Sequence, residues 1–342
     1  MPAKLDDVAR LAGVSPATVS RVLNGNYPVA AQTRVKVLDA LRELDYVVNG
    51  PARALAAATS DVIGVIVNDV SDPFFGIQAR GLQREAADAD LLAIICNTAG
   101  SPADELKYLG MLLRQRVRGI VLTGGAPEDP RHQTATARLL AQATAAGTHV
   151  VLCGRPAPPG VDVPSVSFDN EAGARALARH VLSLGHERIA YVAGPPANTT
   201  TTARHDGFRA ALAEHGLDAA ATVHGDFSRH SGFEAAVGLL RGHPGVTAIV
   251  AANDLMALGV VAALRRHGVD VPGEVSVAGF DDLPACVDVV PALTTVRIPF
   301  ERGVRAAGRA AGGRDRLAGG WIEVELIVRD SVARPGRGLP AR

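Results

Sequence analysis

The chain is 342 residues long, 47% hydrophobic and 20% charged. That is enough apolar content to bury more than one core, and it excludes a disordered or fibrous chain. Its 35 basic residues balance 35 acidic ones, and its three cysteines, Cys96, Cys153 and Cys286, are far apart with no CxxC; neither a polycation nor a disulfide scaffold is expected, and a reducing compartment is. The N-terminal residues carry Asp6 and Asp7 and lack the apolar core of a signal peptide. No apolar run reaches the ~18–20 residues of a membrane span, so a cytoplasmic address without a membrane partner is expected.

Residues 1–60 hold no β-branched run, only short helical patterns at 5–12, 16–23 and 32–44. Basic residues slightly outnumber acidic ones there, a weak electrostatic sign of a nucleic-acid module. In the first pattern Val8, Ala9 and Ala12 form an apolar stripe, and Gly13 supplies a tight turn. Ser15 is a good N-cap, Pro16 suits a first helical position, and Val19, Val22 and Leu23 then face inward. The opposite face, Pro16, Ala17, Ser20 and Arg21, is small or polar, as a major groove accepts. Spacing alone also fits an ordinary helical hairpin.

From Val62 the pattern changes to apolar runs at 62–67, 91–96, 119–123, 149–153, 165–168, 188–194, 248–253 and 275–280. Amphipathic stretches lie between them at 74–88, 103–115, 135–146, 171–184, 204–215, 231–241 and 255–267. Apolar strands alternating with helices predict parallel sheets buried on both faces and built from right-handed βαβ units. Two such runs predict two similar lobes, with ligands at the carboxyl ends of their strands. The segment after Val328 is rich in Pro, Gly and Arg without heptads, and is expected to be a frayed end.

The stretch 5–24 resembles the DNA-binding headpiece of the LacI/GalR family of bacterial transcription regulators. The likeness continues through Asn24-Gly25, Val29, Thr33-Arg34, Leu44-Asp45-Tyr46, Asn49 and Ala52-Arg53-Ala54-Leu55, and then along nearly the whole chain. Among the matching stretches are Gly185-His186-Glu187-Arg188, Ala252-Asn253-Asp254-Leu255, Val277-Ala278-Gly279-Phe280-Asp281-Asp282 and Val328-Arg329-Asp330-Ser331. The resemblance implies a small all-α helix-turn-helix domain followed by a two-lobed α/β domain like the periplasmic binding proteins. Its boundaries would be a headpiece at 1–48, a hinge helix and linker at 49–60, an effector and dimerisation domain at 61–330 and a flexible tail at 331–342. The N-lobe would take about 61–160 and 293–320, the C-lobe about 162–290 and 321–330.

The resemblance also implies roles. Arg21 would pair with a guanine edge and Ala17 would meet a thymine methyl. Ser15, Thr18, Ser20, Asn24 and Thr33 would hold phosphates, and Leu55, flanked by Asn49 and Ala52, would wedge into the minor groove. Read alone, Leu55 is an ordinary buried leucine. Three departures from the family pattern stand out: Pro16-Ala17 offer little hydrogen bonding, Ala30 replaces a common capping serine, and Val48 stands where proline is frequent, with Pro51 further on.

Asp72-Pro73-Phe74-Phe75 resembles the sugar-stacking loop of ribose-type binding proteins and their repressor cousins, although both rings could equally be core. Arg155, Arg204, Phe227, Asn253 and Asp281 fall at strand ends, with Asn198 and Arg297 as weaker candidates. Gly154 stands where relatives can carry an acidic group. The expected effector is a monosaccharide; a purine or nucleoside acting as co-repressor is the alternative, since it too would stack on Phe74 and Phe75. GxSxG, GxxxxGK[ST], HExxH and a strand-borne GxGxxG are all missing, so no catalysis, cofactor or metal is expected. A cytoplasmic sugar-binding enzyme and a transport-type binding protein are the remaining alternatives. The expected working unit is a homodimer on a pseudo-palindromic operator, with ligand-driven lobe closure coupled to folding of the hinge, about 50–58.

Overall fold

A computed structural model describes residues 3–24, 27–46, 60–315, 317 and 319–340. Asn49, Ala52 and Leu55 lie outside the described residues, as does the side chain of Asn24. Among the described residues, no helix is long and apolar enough to cross a membrane.

The headpiece consists of α1 (Leu5–Ala12), α2 (Pro16–Asn24) and α3 (Ala31–Glu43). Gly13 ends α1 in the left-handed conformation, φ 65°, which favours glycine because it has no Cβ. Val8, Ala9, Ala12, Val19, Val22, Val37 and Ala40 form the core. Helix α3 begins without a side-chain cap because Ala30 has no oxygen to offer.

The larger domain is two parallel sheets flanked by helices. The N-lobe strands are β1 (Ser60–Val67), β2 (Leu92–Asn97), β3 (Val117–Thr123), β4 (His149–Cys153), β5 (Ser165–Phe168) and β11 (Gly320–Ile322), in the order β11-β5-β4-β3-β1-β2. Helices α4 (Pro73–Ala87), α5 (Pro102–Arg114), α6 (Pro130–Ala145) and α12 (Phe300–Ala311) cover its faces. The C-lobe strands are β6 (Ile189–Ala193), β7 (Ala221–His224), β8 (Ala248–Ala251) and β9 (Ser276–Ala278), in the order β7-β6-β8-β9. Around them lie α7 (Asn170–Ser183), α8 (Thr199–Ala213), α9 (Arg229–Gly242), α10 (Asp254–Arg266) and the short α11 (Ala285–Asp288). A third pairing, β10 (Thr295–Arg297) antiparallel to β12 (Glu325–Ile327), continues beside β9 through the bridges Ala278–Thr294 and Asp281–Arg297.

The expected division of the lobes needs correction. Strand β5, assigned to the C-lobe, pairs with β4 in the N-lobe sheet, and β11 pairs with β5 there as well. Residues 293–297, assigned to the N-lobe, belong with the C-lobe strands. The chain therefore crosses between lobes three times, after β5, after β10 and between β11 and β12. The single tryptophan, Trp321, is 73% exposed on β11 beside the last crossing.

The flexible tail expected at 331–342 is also overturned as far as residue 340. Ser331 Oγ donates to Val277 O at 2.6 Å, and the backbone N–H of Leu339 donates to Val246 O at 2.8 Å. His186 Nε2 donates to Ala333 O at 2.7 Å while burial pushes its pKa down, favouring the neutral ring. With Leu339 and Val332 buried in the C-lobe core, backbone pairing holds a segment whose composition reads as coil.

Candidate functional site

A cleft of about 60 Å³ lies where the carboxyl ends of both sheets face each other. From the N-lobe it is lined by Asn68, Asp72, Phe74, Phe75, Gly124, Gly125, Gly154 and Phe168, and from the other side by Asn170, Asn198, Thr200, Arg204, Phe227, Asn253, Asp281 and Ile298.

Three polar liners are helix N-caps. Asp72 Oδ1 accepts from the N–H of Phe74 at 2.8 Å at the start of α4. Asn198 Oδ1 accepts from Thr200 at 3.0 Å at the start of α8. Asn253 Oδ1 accepts from Met256 at 2.9 Å at the start of α10, and its amide donates to Phe227 O at 2.9 Å. Each side chain satisfies an orphan helix donor and is thereby fixed at the cleft wall. Burial raises the Asp72 carboxyl to about 6, despite the N–H of Phe74.

Arg204 is the electrostatic centre. Its Nη2 donates to Asp281 Oδ1 at 2.8 Å, its Nε to Asn170 Oδ1 at 2.8 Å and its Nη1 to Ala252 O at 2.5 Å, with the guanidinium 3.8 Å over the Phe280 ring. Burial pushes the Asp281 carboxyl well above the ordinary carboxylate range, and Arg204 opposes that shift. Asp281 and Asp282 have φ of 123° and 58°, a strained corner costing on the order of 1–3 kcal/mol per residue. Val296 O holds it through the N–H of Asp281 at 2.8 Å. Phe227, at φ 68°, is strained likewise, and its ring lies so close to Gly194 that a Cβ there would come within 2.2 Å of it.

The N-lobe wall is aromatic. Phe74 meets Phe75 edge-on at 4.8 Å and Phe300 at 5.1 Å, the arrangement that ring quadrupoles prefer. Gly124 and Gly125 keep the floor open: a Cβ on Gly124 would strike the Phe75 ring, and one on Gly125 would strike Asn198 and Thr200.

The lobes are also bonded to each other at this edge. The N–H of Glu128 donates to Ala197 O at 2.8 Å, and Thr199 N–H to Ala126 O at 3.0 Å. Thr202 Oγ1 donates to Glu128 Oε2 at 2.7 Å.

The structure therefore brings Asp72, Phe74, Phe75, Asn198, Arg204, Phe227, Asn253 and Asp281 together, and two expected members stand elsewhere. Arg155 is turned out of the cleft: its three nitrogens donate to Gly124 O, Thr123 O and Glu105 Oε2, each at 2.8 Å. Arg297 lies at the surface, paired with Asp282 at 2.7 Å and Glu325 at 3.1 Å. Sequence reasoning missed Asn68, which follows β1 as Asn253 follows β8, and Asn170, which accepts from Arg204 and donates to Phe168 O at 3.3 Å. It also passed over Phe168, Thr200 and Ile298.

In the headpiece, Pro16, Ala17 and Arg21 are exposed on one face of α2. Arg21 lies over the Tyr27 ring at 5.5 Å. Ser15 caps α2, its Oγ accepting from Thr18 N–H at 3.2 Å and meeting Thr18 Oγ1 at 2.9 Å. Ser20 on α2 and Thr33 on α3 are half-buried.

Comparison with known proteins agrees with this architecture. Residues 4–49 match the family model of bacterial regulatory proteins of the lacI family, and residues 60–300 match that of periplasmic binding proteins and the sugar binding domain of the LacI family. The chain is 33% identical to the transcriptional regulator DegA of Bacillus subtilis over 97% of its own length and 99% of the relative's. It is 36% identical to the regulator GalS of Salmonella typhimurium over 96% of each chain. Its structure matches the lac repressor dimer bound to operator and the anti-inducer ONPF with a TM-score of 0.82 at 28% identity, covering 97% of this chain and all of that one. A helix-turn-helix headpiece on a two-lobed binding domain defines a DNA-binding transcriptional regulator. The chain belongs to the LacI family of bacterial regulatory proteins.

Proposed function

We propose that the chain acts in the cytoplasm as a homodimeric repressor, and that a neutral sugar bound between its lobes sets its grip on a pseudo-palindromic operator. The observation that carries this reading is the cleft's inventory of groups. Two carboxylates and four amides face four phenyl rings, which matches the hydroxyls and the apolar face of a sugar ring. Its one cation, Arg204, already satisfies Asp281, Asn170 and Ala252 O, which favours an uncharged sugar over a sugar phosphate. Asp281 is held by Arg204 and Asp72 by the first turn of α4, so we read the cleft as a sensing site and not a catalytic one. Exposed Leu92, Ile94 and Met111 on the N-lobe, and Val287 and Val290 on the C-lobe, supply apolar surface on both lobes for a second copy to cover.

Selection of bound duplexes from a random pool tests the reading, followed by challenge of the complex with uncharged sugars, sugar phosphates and purines. Recovery of a two-fold site released by an uncharged sugar supports it. Tightening by a purine would replace it with co-repression, and failure to enrich any sequence would remove DNA recognition. Arg21→Ala should lose preference for the selected site over random DNA while keeping the ligand-induced thermal shift; retained preference would take Arg21 out of base readout.

A further inference from the structure

We infer that the N-lobe holds a second small-molecule site, for a planar aromatic compound carrying one hydrogen-bond donor, placed behind the wall of the cleft. A cavity of about 240 Å³ opens there. The partition between it and the cleft is one residue thick: Gly125, Gly154 and Thr200 line the cleft, while their neighbours Ala126, Arg155 and Thr199 line the second cavity.

The polar groups at its base are nearly all satisfied. Glu105, His132 and Arg155 are almost fully buried. Glu105 accepts from Arg155 Nη1 at 2.8 Å and from His132 Nε2 at 3.1 Å. Burial pushes the Glu105 carboxyl up, but Arg155 and His132 outweigh it and hold it at about 2, and the other two guanidinium nitrogens of Arg155 are engaged by backbone carbonyls. A polyol would find almost nothing to bond and would leave buried hydroxyls unpaired, which is costly.

The remaining wall is apolar, with Pro127, Pro156, Pro158 and Pro159 prominent in it. The C–H edges of proline rings suit the negative face of an aromatic ring. Nε2 of His132 also meets Thr136 Oγ1 at 3.3 Å; in the neutral tautomer that gives its Nε2 proton to Glu105, the other ring nitrogen, Nδ1, is an acceptor. It offers one bond to an O–H or N–H on the ring.

The occupant would also press on Ala126 and Pro127, in the segment that bonds to α8 across the cleft. The site is thus a second regulatory input.

Phenol and indole are the probes, applied to the full-length chain by ligand-observed NMR and calorimetry. Binding should persist in Asp281→Asn, whose melting curve must show a folded chain because it loses the buried pair with Arg204, and fall at least tenfold in Ala157→Phe and Gln133→Met. Both replacements fill the second cavity from different elements, and their melting curves report whether they fold. Exchange of the amide hydrogens of Ala126 and Glu128 should slow on binding. The inference is overturned if neither probe binds at about 10 mM, or if both filled variants fold and bind as the parent does. Loss of binding in Asp281→Asn alone would place the probe in the cleft instead. Binding that leaves exchange at Ala126 and Glu128 unchanged would overturn its regulatory part.

Discussion

At the scale of single residues, direction matters as much as position. The sequence offers Arg155 and Arg204 alike as cleft donors, although one follows a strand and the other lies within a helix. Gly154 turns at φ 88°, and Arg155 leaves the cleft for Glu105, while Arg204, on the second turn of α8, points in toward Asp281. Only coordinates separate them. Because Arg204 and Asp281 are each 3% exposed, Asp281→Ala would strand a buried guanidinium. We expect a loss of about 3–5 kcal/mol in unfolding free energy, along with loss of the ligand response; a variant that melts like the parent would contradict the pairing. Asp72 gives a pH test. Its native pKa of about 6 lies above the ordinary carboxyl value of 3.8, so between those values the folded chain binds more protons than the unfolded one. That part of the stability is present in acid and is lost as pH rises toward 6. A sugar whose hydroxyls donate to the carboxylate should bind more tightly over the same rise and release a proton. Calorimetry near pH 5.5 in two buffers of unequal ionisation enthalpy should detect that proton, and Asp72→Asn should abolish it.

At the scale of elements, much was legible because the physics is local. The runs at 149–153 and 165–168 coincide with β4, buried on both faces after its first residue, and β5, whose half-buried serines alternate with buried Val166 and Phe168. Asp72, Asn198 and Asn253 are legible as cleft candidates, but not as the helix N-caps they form. What escaped was short or mixed: β7 alternates half-buried and exposed residues, and β10, β11 and β12 have three residues each, too few to show a period. Helix α12 carries an apolar stripe at Phe300, Val304, Ala307 and Ala311, yet Gly303 and Gly308 lower its helical propensity. They are present because a Cβ at 308 would meet Glu85 and one at 303 would meet Phe168. The missing cap of α3 yields a prediction in the stabilising direction: Ala30→Ser should add about 1 kcal/mol, slowing amide exchange in α3 by about fivefold. Unchanged exchange would show that the first turn is satisfied by other means.

At the scale of the whole molecule, the two lobes meet through three covalent crossings and a hydrogen-bonded edge. The N-lobe strap at 126–128 and the start of α8 carry that edge, and none of it was visible in the sequence, because it joins segments about seventy positions apart. Thr202→Val removes the hydroxyl that reaches Glu128 and should weaken sugar binding about three- to fivefold, in line with the ~1 kcal/mol net worth of one hydrogen bond. Operator affinity without ligand should stay as it was. A Kd unchanged by this substitution would mean that the edge plays no part in holding the ligand. Coupling between sugar and operator needs no more than the ~1–3 kcal/mol typical of linked sites.

Trp321 adds a practical consequence. It is the only indole in the chain, it is solvent-exposed, and it sits on β11 two residues before the C-lobe resumes at Glu323–Val324 and β12. Any swing of one lobe against the other alters the water and charge around that ring. The protein therefore carries its own optical gauge of its posture, readable in ordinary ultraviolet emission without a dye or an engineered label.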